Sequence, residues 1–322
     1  SKIKCSIKTL KINSYKFVKI KVIQKILLII EINKKLFLNS LRITPHIIHC
    51  HDTMPLPAAL LIKLLKNSKL VYDAHELEAH TSGQDKITSF LIKLFEKIVW
   101  GFIDEFITVS ESINLWYQKN LGPKNFTIVL NTPEINEEKR ESLEKFYFHN
   151  YFSISKKDTI FIYVGEFING RGIEIILKTF RKTKKSNHVV FLGYGKLEKE
   201  IRHYSNLYSN IHFHPVIEID ELLEVIRSAD IGLCLIEPIS LSDHYCLPNK
   251  LFEYAFSDLK IIASDLPEIK KIIKKFKIGI TCKIDNNSLS DAISKIKSFK
   301  KDKSLSLEGI SWDYESKKLE TL

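Results

Sequence analysis

Short apolar runs alternate almost end to end with longer stretches in which apolar residues recur every three or four positions. The first kind predicts buried strands and the second amphipathic helices, and regular alternation of the two predicts an α/β protein with parallel sheets. In the first half, HIIHCHD (46–52), KLVYDAHE (69–76), EFITVS (105–110) and FTIVLNT (126–132) read as strands, with helices near 55–67, 86–103 and 111–120. The helix at 86–103 gathers Ile87, Phe90, Leu91, Leu94, Phe95, Ile98, Val99 and Phe102 on one face with lysines opposite. Core packing is the expectation for that face, and membrane contact the alternative.

Residues 133–156 are polar and charged without strong periodicity and predict a linker. The alternation then restarts. TIFIYVGEF (159–167), HVVFLGYG (188–195), NIHFHPV (210–216), DIGLCLIE (230–237), KIIAS (260–264) and KIGITCKI (277–284) read as strands. IEIILKTFRKT (173–183), IDELLEVIRSA (219–229) and a stretch after 284 read as helices. A length of 322 residues suits two domains of about 150 each. The expected boundaries are 1–140 and 157–310, followed by a tail, SWDYESKKLETL, at 311–322.

Charge changes the picture in one region. The formal net charge is +11, but residues 1–40 hold ten lysines and one acid, Glu31. That flank supplies +9 and leaves +2 for the other 282 residues. So local a charge argues against a nucleic-acid-binding body. It fits either a flank that meets anionic lipid head groups or a lysine-rich solvated face. VIQKILLIIEI (22–32) is too short and too charged to cross a bilayer, which takes roughly 20 apolar residues; it reads as a core or interfacial helix. The five cysteines are scattered without metal or disulfide spacing, and no secretory pattern is evident. The expectation is a cytoplasmic protein, peripheral on the inner face of the plasma membrane through residues 1–40.

The richest chemistry lies in CLPNKLFEYAFSDLKIIASDLPEI (246–269). Pro248 suits the first turn of a helix, where its missing N–H costs nothing, and the unpaired N–H groups there form an anion site to which Lys250 adds a cation. Glu253 lies four residues after Asn249 on the same helix face, one turn in, where a carboxylate can accept both hydroxyls of a ribose. Asp258 stands at the turn before the strand 260–264, a position open to Asp because it visits the left-handed region more readily than most residues.

PNKLFEY, a short loop and an IIASDLPEI-type strand together resemble the donor-binding segment of family 4 glycosyltransferases. The resemblance covers about 40–322 and is strongest from 159 to 270. It implies a GT-B architecture, two Rossmann-like domains facing a cleft, with the N-terminal domain lacking its first strand and glycine-rich loop, since no glycine precedes Gly83. It also implies that 311–322 crosses back towards the first domain. Donor contacts fall on Gly165, Arg171, Asn249, Lys250, Leu251 and Glu253. Of these, Arg171 takes the place of the family's phosphate-binding cation, as an arginine can do bidentately, while Lys250 and the helix end at 247–251 complete the diphosphate site. In YDAHELE, His75 corresponds to the family's cleft histidine, and Asp73 and Glu76 flank it to orient the ring or take an acceptor proton. GYG (193–195) falls where the family shapes the nucleotide pocket.

Two positions depart from the family pattern. Glu166 stands where many relatives have arginine, and Tyr245 where the first acid of a Glu-x7-Glu pair is common; Asp243 and His244 are the nearest substitutes. HCHD offers His49, His51 and Asp52, with both histidines on one strand face, but shows no third and fourth ligand cluster. No metal or other cofactor is therefore expected. The implied activity is retaining, metal-independent transfer of a hexosyl group from a UDP- or GDP-sugar to a glycan or lipid-linked acceptor in bacterial surface polysaccharide synthesis. The alternatives are a nucleotide-sugar epimerase or phosphorylase of the same architecture, and a non-catalytic regulatory subunit.

Overall fold

A computed structural model of the chain describes residues 7–13, 21–135, 146–302 and 304–321. The chain divides into two units: Ser1–Thr108 with Asn114–Ile128, and Val109–Ile113 with Val129–Leu322. Each is built on one parallel sheet.

In the first unit the elements run α1 (Lys21–Ser40), β1 (Ile47–His51), α2 (Leu56–Lys66), β2 (Lys69–Ala74), α3 (Lys86–Val99), β3 (Glu105–Thr108), α4 (Glu111–Leu121) and β4 (Phe126–Ile128). The strands lie side by side in chain order, β1-β2-β3-β4. Register pairs His51 with Asp73 and Asp73 with Ile107. Tyr72, Phe106 and Tyr117 are fully buried beneath the helices. Among the described residues, no helix is long and apolar enough to cross a membrane.

The expectation for α3 is corrected here. The helix forms, capped by Asp85, whose side chain accepts from the Thr88 N–H, but its broad apolar face points outward, with Ile87, Phe90, Leu91, Leu94 and Ile98 exposed. Its buried residues are Glu96 and Val99. The Glu96 carboxylate accepts from the Tyr72 hydroxyl at 2.9 Å and the Tyr117 hydroxyl at 2.7 Å, and Tyr72 is also bonded to Thr53 at 3.0 Å. Thr53, Tyr72, Glu96 and Tyr117, all buried, satisfy one another only with Glu96 turned inward. That network fixes the roll of the helix.

The second unit contains α5 (Tyr147–Tyr151), β5 (Thr159–Glu166), α6 (Ile173–Phe180), β6 (Asn187–Tyr194), α7 (Glu198–Leu207), β7 (Ile211–His214), α8 (Leu222–Arg227) and β8 (Ile231–Cys234). It continues with α9 (Leu241–Tyr245), α10 (Asn249–Phe256), β9 (Lys260–Ser264), α11 (Pro267–Phe276), β10 (Gly279–Cys282), α12 (Asn286–Ile296) and α13 (Trp312–Glu320). Its sheet order is β10-β9-β8-β5-β6-β7. Successive strands step one way from β5 to β7 and the other way from β8 to β10. The reversal between β5 and β8 opens a crevice at their carboxyl ends, where sheets of this kind bind ligands. Phe161, Tyr163, Phe167, Phe180 and Phe191 fill the core around it.

The expected linker is not structureless, because α5 lies inside 133–156 and buries Phe148 and His149; residues 136–145 lie outside the described set. The tail forms α13 and is grouped with the second unit, where the buried Glu315 accepts from the Leu130 N–H at 2.9 Å.

Candidate active site

The switch point of the second unit collects the charged residues that the sequence singled out there. Gly165 is the penultimate residue of β5, with φ +126°, and a Cβ built on it would lie 3.6 Å from Lys250 Nζ. A glycine there leaves the lysine head against bare backbone. Lys250 Nζ also sits 4.0 Å from the centroid of the Tyr163 ring, on the same strand. The Lys250 helix, α10, is seated by its neighbour Tyr254. The Tyr254 hydroxyl accepts from the Val164 N–H at 2.8 Å, and its ring lies where a Cβ on Gly232 would stand, 2.3 Å away. Any side chain at 232 would push α10, and with it Lys250 and Glu253, off the sheet.

The electrostatics follow from this packing. Burial pulls the Lys250 ammonium down to about 8; Cys234 and Glu253 oppose the shift and Arg171 adds to it. Burial raises the Glu253 carboxyl above its ordinary value, and Lys250 opposes. Lys250 and Arg171 thus stand near enough to repel one another.

Arg171 stands at the loop-to-helix junction ahead of α6, between Gly170 and Gly172, both at positive φ. Its Nη1 is 3.2 Å from Asp243 Oδ1. Ser240 caps α9 by accepting from the Asp243 N–H at 3.0 Å, and its hydroxyl donates to Asp243 Oδ2 at 2.7 Å. The sequence offered Asp243 as a substitute for the missing first acid. In the fold it is instead the carboxylate that holds Arg171.

Two details of this helix start differ from the sequence reading. Pro248 is the N-cap of α10, in an extended conformation, rather than a first-turn residue. Leu251 is fully buried and its N–H donates to the Pro248 carbonyl at 3.0 Å, so it supports the helix end rather than facing a ligand. Asn249 is exposed at the helix start. GYG is backbone packing: a Cβ on Gly193, at φ +151°, would lie 2.0 Å from the Gly165 carbonyl oxygen. A cavity of about 1000 Å³, lined among others by Arg227, Asp258, Lys301 and Asp313, involves none of these residues.

In the first unit the carboxyl ends of β1 and β2 bring three histidines around one acid. Asp73 Oδ2 is 2.9 Å from His49 Nε2 and 3.3 Å from His51 Nδ1, and Asp73 Oδ1 is 3.5 Å from His75 Nε2. His51 Nδ1 and His75 Nε2 are 3.1 Å apart. Burial opposes ionisation of Asp73, yet bonds from His49 and His75 hold its carboxyl well below the ordinary range, and the same bond to Asp73 raises His75. The sequence reading offered Asp52 beside His49 and His51 and no third and fourth ligand cluster. Parallel register supplies Asp73 instead, and the ligand atoms of His49, His51 and Asp73 lie within 4.8 Å of one another, a set that could hold a metal ion. Asp52 is not part of it; at φ 61° it accepts from the His75 N–H at 3.3 Å. Glu76 is exposed beside the cluster.

Glu78 was missed by sequence reasoning. Burial, then the charge of Asp52 and a hydrogen bond to it, push its carboxyl well above the ordinary range. Only its spacing of two from Glu76 in HELE hinted at it, and which of the two acids turns inward is set by the short turn Glu78–His80.

Residues 158–298 match the model of the family described as Glycosyl transferases group 1. Among solved structures, sucrose-phosphate synthase from Thermosynechococcus elongatus aligns with a TM-score of 0.69 at 13% identity, over 91% of this chain and 76% of its own. A glycosyltransferase from Rickettsia africae aligns at 0.65 and 12%, over 97% and 83%. Anabaena HepE in complex with UDP and glucose aligns at 0.65 and 9%, over 82% and 70%. A search of the curated proteins finds no match. At these identities the structural likeness establishes the fold, two Rossmann-like units of the GT-B type.

Proposed function

We propose, from the premise that residues 158–298 are a glycosyl transferases group 1 domain, that the chain moves a sugar from a nucleoside-diphosphate sugar to a glycan or lipid-linked acceptor, with retention at the anomeric carbon and in bacterial surface polysaccharide synthesis. The observation that carries the reading is the meeting of Lys250, Arg171 and Glu253 at the reversal of the second sheet. A donor diphosphate suits the two cations and the start of α10, and a ribose suits Glu253.

In the reaction the bond from the anomeric carbon to the diphosphate oxygen breaks, and negative charge grows on the leaving diphosphate. Arg171 and Lys250 oppose that charge with dipoles and cations already in place, the most effective form of transition-state stabilisation. The acceptor oxygen bonds to the anomeric carbon and gives up its proton to the Glu76 carboxylate. His75, Asp73 and Glu76 are assigned to the sugar and acceptor, with Asp73 keeping His75 oriented and readily protonated. The scheme uses no metal. Residues 1–40, at +9, are assigned to anionic lipid on the inner face of the plasma membrane.

Calorimetry with UDP, GDP and their sugars, on the wild type and on Glu253→Ala, tests the donor site. Selective binding that weakens about tenfold or more in the variant supports it, in line with hydrogen bonds to a charged group. A folded protein that binds none of them refutes it. Binding without turnover on any acceptor would instead favour the regulatory-subunit reading, to which the pairing of Arg171 with Asp243 lends some weight.

A further inference from the structure

The outward face of α3 is a surface without a described partner, and its chemistry names one. We propose that α3 lays the first unit onto an anionic lipid bilayer, lying in the plane of the interface with its apolar stripe among the acyl chains. Ile87, Phe90, Leu91, Leu94 and Ile98 are 72%, 62%, 55%, 45% and 58% exposed. At 100° per residue they fall within one arc of about 100°. Single exposed apolar residues are ordinary, but a continuous row of five on one helix marks an interaction surface.

The charges around the row select the occupant. Lys86, Lys93 and Lys97 are exposed along one margin. The one acid within the helix, Glu96, is 1% exposed and bonded to two tyrosines, and Asp85 at the cap is engaged by Thr88. Every charge that the helix itself turns outward is therefore positive. Lysine stems can lie along the apolar row while their heads reach lipid phosphates, the arrangement of an interfacial amphipathic helix. A second copy docked face to face and antiparallel would bring like-charged lysine rows together. At 14 residues the helix is about 21 Å long, short of the roughly 30 Å needed to span a bilayer but sufficient to lie along one.

The orientation is built in. Releasing the stripe into the core would require rolling Glu96 out of its bonds to Tyr72 and Tyr117, so the apolar face is held outward whether or not lipid is present. The inference does not rest on the transfer reading, and it concerns a different element from the basic flank 1–40.

The test is co-sedimentation with vesicles of phosphatidylcholine, with and without phosphatidylglycerol. The wild type is expected to bind the mixed vesicles far better than the neutral ones. A Phe90→Ser, Leu94→Ser double variant should bind about tenfold less or weaker still, since it removes two of the largest buried apolar contacts. Lys93→Glu with Lys97→Glu should reduce the preference for phosphatidylglycerol to what the basic flank 1–40 supplies. Both pairs are surface changes, and an unaltered circular dichroism spectrum and melting temperature would show that folding is intact. In Phe90→Trp, the new indole should be quenched by brominated phosphatidylcholine in mixed vesicles. The proposal is overturned if the wild type ignores vesicles, if binding is the same in the Phe90→Ser, Leu94→Ser variant, or if the wild type forms a dimer in solution that this variant abolishes.

Discussion

Lys250 should make nucleotide binding depend on pH in a range where few side chains titrate. With its ammonium pulled down to about 8 by burial, it is about nine-tenths protonated at pH 7 and about one-tenth at pH 9. If the charged form is the one that pairs with a diphosphate, affinity for UDP falls about tenfold over that interval, or ~1.4 kcal/mol. The window lies above the titration of a terminal phosphate, near 6, so the ligand contributes little to the change. Calorimetry at constant ionic strength over pH 7 to 9 reads the effect directly. Lys250→Arg should flatten the curve, because a guanidinium stays protonated and can still lie on the Tyr163 ring; Lys250→Met should give weak binding at every pH. The sign for stability is opposite. The folded pKa of about 8 lies below the ordinary lysine value of 10.5, so between the two the unfolded chain binds more protons and the free protein gains stability as pH rises. Bound UDP favours the protonated form, so the rise in melting temperature that it causes should be larger at pH 7 than at pH 9. Constant affinity across the window, or a decline that persists in Lys250→Arg, would refute the placement of Lys250 on the diphosphate.

Gly193→Ala puts a Cβ 2.0 Å from the Gly165 carbonyl oxygen at a φ of +151°, so backbone must move. A loss of about 2–4 kcal/mol in urea unfolding is expected, with weaker UDP binding because Gly165 is displaced; a change below 1 kcal/mol would be inconsistent with the packing. Dialysis against EDTA should leave sugar transfer unchanged. Activity lost to EDTA and restored by zinc would instead make His49, His51 and Asp73 a working metal centre.

The sequence by itself determined a good deal. Alternating patterns located most strands and the division into two Rossmann-like halves, since burial on both faces of a parallel strand writes a continuous apolar run that needs no tertiary information. PNKLFEY marked a helix start with its cation and acid at fixed helical spacing, and Asp258 at the turn is indeed left-handed, with φ 61°. What crosses between elements was not legible. The strand reversal that makes a crevice between β5 and β8, the hold of Asp243 on Arg171, and the arrival of Asp73 between His49 and His51 all depend on which strands become neighbours and in what register. Local spacing carries no record of that. The roll of α3 makes the same point with the opposite sign. Its apolar periodicity argued for burial, but periodicity reports only that a face exists, while the direction it points was decided by one buried carboxylate finding two tyrosine hydroxyls. Satisfying a buried polar network outweighed hiding five apolar side chains, because an ionisable group left unpaired in the core costs more than apolar surface left at the interface.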